Sequence, residues 1–135
     1  MLMNPAVYAK LLGEKIDKHN TEVYLVNTGW LSGGYGKGDR INLPYTRAMI
    51  REALNGKFKN IEFVEHPVFK IMMPKECPGV PKEMLDPKNT WTDKEAYDAA
   101  AKELALKFNE NFKKFGSVSE DIVKAGPEVR RFTCI

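Results

Sequence analysis

Between Asn27 and Thr46 the chain reads "NTGWLSGGYGKGDRINLPYT". Gly34, Gly36 and Gly38 alternate with Tyr35 and Lys37, and Arg40, Ile41 and Thr46 follow. Two chemistries suit such residues. Glycines beside a lysine can turn bare backbone N–H groups toward a phosphate. The residues after them suit a purine instead. Arg40 offers a planar cation that bonds phosphate or stacks on a base, Ile41 a flat apolar surface for a ring, and Thr46 a hydroxyl for a base edge.

The phosphate-loop patterns fail. In G-x-x-x-x-G-K-[ST], reading back from Gly36-Lys37 puts Leu31 where the first glycine belongs, and Gly38 stands where a hydroxyl should meet magnesium. In G-x-G-x-x-G, Gly34 and Gly36 are followed by Asp39 in the last glycine's place. Residue types alone favour a plain reading, a long surface turn with Arg40 solvated and Ile41 in the core, because most glycine-rich stretches are only loops.

Position keeps the ligand reading open. "EVYLVNT", residues 22–28, has contiguous apolar residues and reads as a strand buried on both faces, as in a parallel sheet. The glycine loop would leave the carboxyl end of that strand and lead into a helix, where open α/β sheets bind ligands. Asn42 is placed to cap that helix, with Pro44 in its first turn and Asn55-Gly56 at its end.

The flanking elements follow from similar signals. Asn4-Pro5 opens a first helix that fades near His19-Asn20, with Tyr8, Leu11, Leu12 and Ile16 at helical spacing. Five prolines between Pro67 and Pro87 exclude a long helix there, and "IEFVEHPVF" and "KIMM" read as short edge strands. Thr92-x-x-Glu95 reads as a capping box for a third helix, whose stripe of Tyr97, Ala101, Leu104, Phe108, Phe112 and Phe115 ends at Gly116. A short last helix is predicted from Val118 to Ala125, capped by Ser117 and stopped by Gly126-Pro127. Residues 128–135 read as a tail.

Composition bounds the rest. At 135 residues, with 43% hydrophobic and 29% charged residues, the chain has the size and balance of one soluble domain. A net charge of +3 with scattered Lys and Arg does not point to nucleic acid. Cys77 and Cys134 show no metal or redox spacing, so a reduced, cytoplasmic setting is expected. No run of about 18 apolar residues suggests a membrane span. The first ten residues lack a secretion-signal layout, and "FTCI" is not a prenylation box. His19 and His66 stand far apart, which argues against zinc. His66 before Pro67 reads as structural, Cys77 as an inert or mildly exposed thiol rather than a nucleophile, and Asp93 with Glu95 as helix-start residues.

Read together, the segments "NPAVYAKLLGEKI", "VYLVNTGW", "GGYGKGDRINLPYTRAMIREALNG", "HPVFKIMMPKECPGVP" and "LDPKNTW" resemble, in order and spacing, the C-terminal part of the ATP-dependent phosphoenolpyruvate carboxykinase family. The resemblance runs from about residue 4 to about residue 115. It implies an α/β fold: the C-terminal segment of a carboxykinase-like nucleotide-binding domain over residues 1–127, with three to four helices around a small mixed sheet. It implies a gluconeogenic reaction in which oxaloacetate and ATP give phosphoenolpyruvate, carbon dioxide and ADP, with magnesium and manganese neutralising charge during phosphoryl transfer.

Position by position, Arg40 matches the family arginine that contacts ATP beside the base and ribose. Ile41 matches the residue packed on adenine, and Thr46 the threonine that bonds the base. Asn42 stands where many members have serine. Asp39 stands where many have lysine, an acid next to Arg40 that could fix its rotamer. The glycines would let the backbone turn sharply and approach the base.

The family's phosphate loop, manganese ligands, acidic magnesium motif and oxaloacetate-binding arginines have no counterparts here. The chain therefore reads as roughly the last quarter of an enzyme, expected to be catalytically incomplete alone and to associate with the upstream part or with itself. Two rival readings are a free-standing nucleotide-binding or regulatory module and a structural remnant without ligand.

Overall fold

A computed structural model of the chain describes residues 4–116 and 118–128. In chain order it contains α1 (Pro5–His19), β1 (Trp30–Leu31), β2 (Asp39–Arg40), α2 (Leu43–Leu54), β3 (Phe63–Glu65), β4 (Met72–Pro74), α3 (Lys94–Phe112) and α4 (Glu120–Lys124). Short 3-10 turns intervene, among them Lys57–Asn60 after α2 and Pro87–Thr90 before α3. No helix among the described residues is long and apolar enough to cross a membrane.

The helix ends show why these segments fold locally. The Asn4 side chain accepts the Ala6 N–H at 2.9 Å while Pro5 fills a position that needs no donor, and α1 closes at Asn20 in the left-handed conformation. α2 has Asn42 at its N-cap position, without a side-chain cap bond, and Gly56 beyond its end takes φ 67°. α3 corrects the expected capping box by one residue. Asp93, not Thr92, is the cap, and its Oδ1 accepts the Ala96 N–H at 2.9 Å. A carboxylate there also meets the positive end of the helix, as Asp93 and Glu95 lead one to expect. α4 is shorter than predicted and is led by Ser119; Ser117 and the tail beyond Glu128 lie outside the described residues.

The fold is α/β, but the strands do not form one mixed sheet. They make two separate antiparallel pairs, β1 with β2 and β3 with β4. Residues 22–28 are not a strand, and the expectation of a parallel strand buried on both faces fails. Val23 is 65% exposed and Leu25 84%. A ladder requires neighbouring backbone, and no described strand pairs with this segment, so its N–H and C=O groups have no sheet to join. Val26 is half-buried, and Tyr24 brings its ring to 5.5 Å from that of Phe58.

The core lies instead between α2 and the proline-rich half. Ala48, Phe58, Cys77 and Val80 are buried together, and Tyr45, Met49, Ala53, Phe63 and Met84 pack around them. Cys77 is 4% exposed, and burial, with Glu52 adding to it, pushes its thiol above the ordinary range. A buried thiol with a raised pKa is a weak nucleophile, and the thiol is not the mildly exposed one the sequence also allowed. α1 buries none of its residues. α3 buries Ala101 and Ala105 but leaves much of its expected stripe open, with Leu104 and Phe108 about half exposed.

One imidazole ties the proline-rich half together. His66 directly follows β3 and is 3% exposed. Its Nδ1 accepts the N–H groups of Val68 and Phe69, both at 3.1 Å. Nδ1 therefore carries no proton, and Nε2 donates to the Tyr97 hydroxyl of α3 at 2.7 Å. The turn closes through the His66 N–H to the Ile71 carbonyl and the Lys70 N–H to the His66 carbonyl, with Lys70 at φ 56°. Burial holds the His66 imidazole below the usual histidine range, against the opposing pull of Asp86 and Asp98. The Tyr97 hydroxyl is pushed up to about 12 by burial and then by the same two carboxylates.

The sign of the pH dependence follows. The folded imidazole takes up a proton less readily than the unfolded one, so its contribution to stability is complete above the unfolded value of about 6.5 and is lost as pH falls through the lower folded value. Urea unfolding between pH 7 and pH 5 should show a falling midpoint. His66→Asn retains an acceptor for the turn N–H groups, loses the Tyr97 bond at about 1 kcal/mol, and should flatten this slope. An unchanged slope in the variant would rule out His66 as its source.

Candidate adenine-side site

The glycine loop is the connection of a tight hairpin. Trp30 faces Arg40 and Leu31 faces Asp39 across β1 and β2, and the Ile41 N–H continues the pairing to the Gly29 carbonyl at 2.9 Å. Asn27 starts the hairpin by accepting the Gly29 N–H on its side-chain oxygen at 2.9 Å. Inside the loop, the N–H groups of Lys37 and Gly38 both reach the Gly34 carbonyl, at 3.1 and 3.0 Å. Gly36 takes φ 81°, a conformation that favours glycine.

Gly38 is needed for space. A Cβ there would overlap the Leu31 carbonyl oxygen and lie 2.7 Å from the Gly33 carbonyl oxygen. The bare backbone at this position is thus required by the loop's own chain crossing. Trp30 meets Tyr35 edge-on across the hairpin, with ring centroids 5.4 Å apart.

The three residues singled out by sequence occupy different environments. Arg40 is exposed on β2. Ile41 is buried, at 9% exposure, and Thr46 sits one turn into α2, also buried at 7%. The plain expectation of a solvated arginine and a core isoleucine therefore holds for the chain as described. Asp39 does not fix Arg40: no ion pair among the described residues joins them, since neighbours on a strand point to opposite faces.

Beside Ile41 lies a cleft of about 600 Å³, within the size range of small-molecule sites. Its walls are mainly apolar, with Tyr24, Ile41, Met49, Phe58, Met73 and Met84 among them. Asn27 and the His66–Tyr97 pair are its polar groups. Of the three candidates only Ile41 lines this cleft. Arg40 follows the Trp30 pairing on the hairpin next to it, and Thr46 is held within α2. Among the described residues no three His, Cys, Asp or Glu side chains gather as a metal ion would require.

One contact was not legible in the sequence. The Ser32 N–H donates to the Thr90 hydroxyl oxygen at 3.2 Å, across 58 positions of chain. The only signal for it was that "NTW" and the glycine loop both belong to the segments carrying the resemblance.

Known proteins resemble this chain in sequence. A family model described as phosphoenolpyruvate carboxykinase matches residues 1–83, a span that contains the hairpin, α2 and all three candidates. Over 124 residues the chain is 57% identical to the phosphoenolpyruvate carboxykinase (ATP) of Caldanaerobacter subterraneus subsp. tengcongensis, covering 92% of this chain and 24% of that protein. It is 58% identical over 127 residues to phosphoenolpyruvate carboxykinase (ATP) 2 of Moorella thermoacetica, covering 94% of this chain and 24% of that protein. The corresponding enzyme of Thermus thermophilus is 53% identical over 126 residues, with coverage of 93% and 24%. The chain thus spans about a quarter of the length of the curated relatives it matches. With the family model covering more than half of its residues, this chain belongs to the phosphoenolpyruvate carboxykinase family.

Proposed function

We propose that this chain supplies the adenine side of the ATP site in an enzyme that converts oxaloacetate and ATP to phosphoenolpyruvate, carbon dioxide and ADP. The observation that carries this reading is the family match over residues 1–83, which takes in the hairpin and α2. Ile41 lines an apolar cleft wide enough for a flat ring. Arg40, exposed on the adjoining strand, can stack on the base or bond a phosphate. Thr46 contributes a hydroxyl one turn into the helix that follows.

The division of labour is physical. Base recognition needs apolar surface and a few polar edges, which this segment has. Phosphoryl transfer needs cations and acids placed about the reacting phosphorus. The donor groups described here form no metal cluster, so no step through magnesium or manganese is assigned to these residues. We assign the reacting groups to other parts of a complete enzyme, and the exposed apolar side chains of Val23 and Leu25 to contact with those parts or with a second copy.

Three outcomes are expected. The purified chain, given oxaloacetate, ATP, magnesium and manganese, should show no carboxykinase turnover; product above background overturns the proposed division. In light scattering it should self-associate as concentration rises, and a monodisperse monomer throughout would count against the exposed segment as a contact surface. In a complete enzyme reconstituted around this chain, Arg40→Ala should raise the Michaelis constant for ATP more than Thr46→Val does. A charge-assisted bond contributes about 1.5–3 kcal/mol and a neutral one about 1 kcal/mol. Wild-type constants in both variants would remove these residues from the site.

A further inference from the structure

The hairpin that carries Arg40 and Ile41 is held at its tip side by one long-range polar contact among those described, from the Ser32 N–H to the Thr90 hydroxyl oxygen at 3.2 Å. Ser32 takes φ 61°, left-handed backbone that a non-glycine residue adopts only when something holds it there. Its N–H faces an oxygen whose own proton is already committed. The Thr90 hydroxyl donates to the Pro87 carbonyl at 2.8 Å, which turns its lone pairs toward Ser32.

The support behind Thr90 is itself fixed at both ends. Asp86 caps the Pro87–Thr90 turn, accepting the Lys88 N–H at 3.0 Å. At the other end, the Lys94 ammonium takes the carbonyls of Lys88, Asn89 and Trp91 at 2.8, 3.0 and 2.8 Å. A cation on these carbonyls neutralises the free acceptors at the end of the turn. Lys88 adds a bond to Asp98 of α3 at 2.7 Å. Thr90 therefore stands on a turn clamped to the start of α3, and it passes that rigidity to Ser32. Ser32 directly follows β1, whose pairing sets Arg40 through Trp30 and Asp39 through Leu31.

We infer that Thr90 is a positioning residue for the adenine-side hairpin: its hydroxyl holds Ser32 in the left-handed conformation and so fixes Arg40 and Ile41 beside the cleft. The identity of the ligand rests on the function proposed above, whereas the positioning itself does not. It reaches residues that touch the nucleotide from outside the site.

The test is nuclear magnetic resonance on the chain with Thr90→Val, which removes the hydroxyl at nearly constant shape, and Thr90→Ser, which keeps it. Thr90→Val should raise amide exchange at Ser32 about fivefold, the size expected from one neutral hydrogen bond. It should also move the backbone resonances of Arg40 and Ile41 and weaken adenosine-induced shifts at those residues by about the same factor. Thr90→Ser should restore all three. Resonances of the His66 turn report that the fold survives each change. Unchanged Ser32 exchange in Thr90→Val, moved exchange with Arg40 and Ile41 undisturbed, or no restoration by serine each overturns the positioning role. Absence of any adenosine-induced shift in the wild-type chain counts against the adenine-side reading alone, and the exchange and resonance results then still decide on Thr90.

Discussion

The His66 imidazole is the junction on which the proline-rich half depends. A turn between two short strands leaves several backbone N–H groups without a ladder, and a buried, unpaired N–H costs about 1–3 kcal/mol. His66 resolves this by turning an unprotonated nitrogen onto two of them and donating from the other to Tyr97. That single tautomer connects β3, its turn and α3. The same turn receives the Glu128 N–H on the Val68 carbonyl at 2.8 Å, which brings the segment after α4 to the same place. The imidazole adds to the backbone bonds that already close this turn, from the His66 N–H to Ile71 and from the Lys70 N–H to His66, and joins the turn to Tyr97 of α3.

Around that junction the core is small. Its buried side chains are of modest size, and the largest aromatic among them, Phe58, is supplied by a 3-10 turn rather than by a helix or strand. Apolar surface is left open at Val23, Tyr24 and Leu25, on α1 and on α3. The chain spans about a quarter of its curated relatives, and its segments carry apolar patterns suited to neighbours that the described residues do not provide. α1 has caps at both ends and buries none of its residues.

The glycine hairpin shows how one composition can be read two ways. Glycines beside a lysine suggest a phosphate cradle, yet the loop folds its amide groups onto Gly34, and Gly38 is bare because the Leu31 carbonyl passes over it. The loop is thus a support for the residues that follow it. Its orientation is set remotely, through a threonine and a lysine that cap a turn in the other half of the chain.

Much was legible from sequence because it is local. The start of α1 and the end of α2 follow from Asn4-Pro5 and Gly56, whose effects reach only a few residues along the chain, whereas Asn42 stands at the start of α2 without the cap bond expected of it. The strand expectations over "IEFVEHPVF" and "KIMM" hold only in part, as Phe63–Glu65 and Met72–Pro74, with a turn at His66 between them. The family was readable because specific segments recur in order. The tertiary structure decided everything that needs a second partner. It determined that residues 22–28 form no strand, since a contiguous apolar run specifies a buried strand only where neighbouring strands exist to pair with it. It separated the strands into two antiparallel pairs, put Ile41 in a cleft wall while leaving Arg40 outside, and joined Ser32 to Thr90. Caps and turns are written within a few residues of themselves, whereas burial and long-range hydrogen bonds belong to pairs of segments, and only the folded chain brings those together.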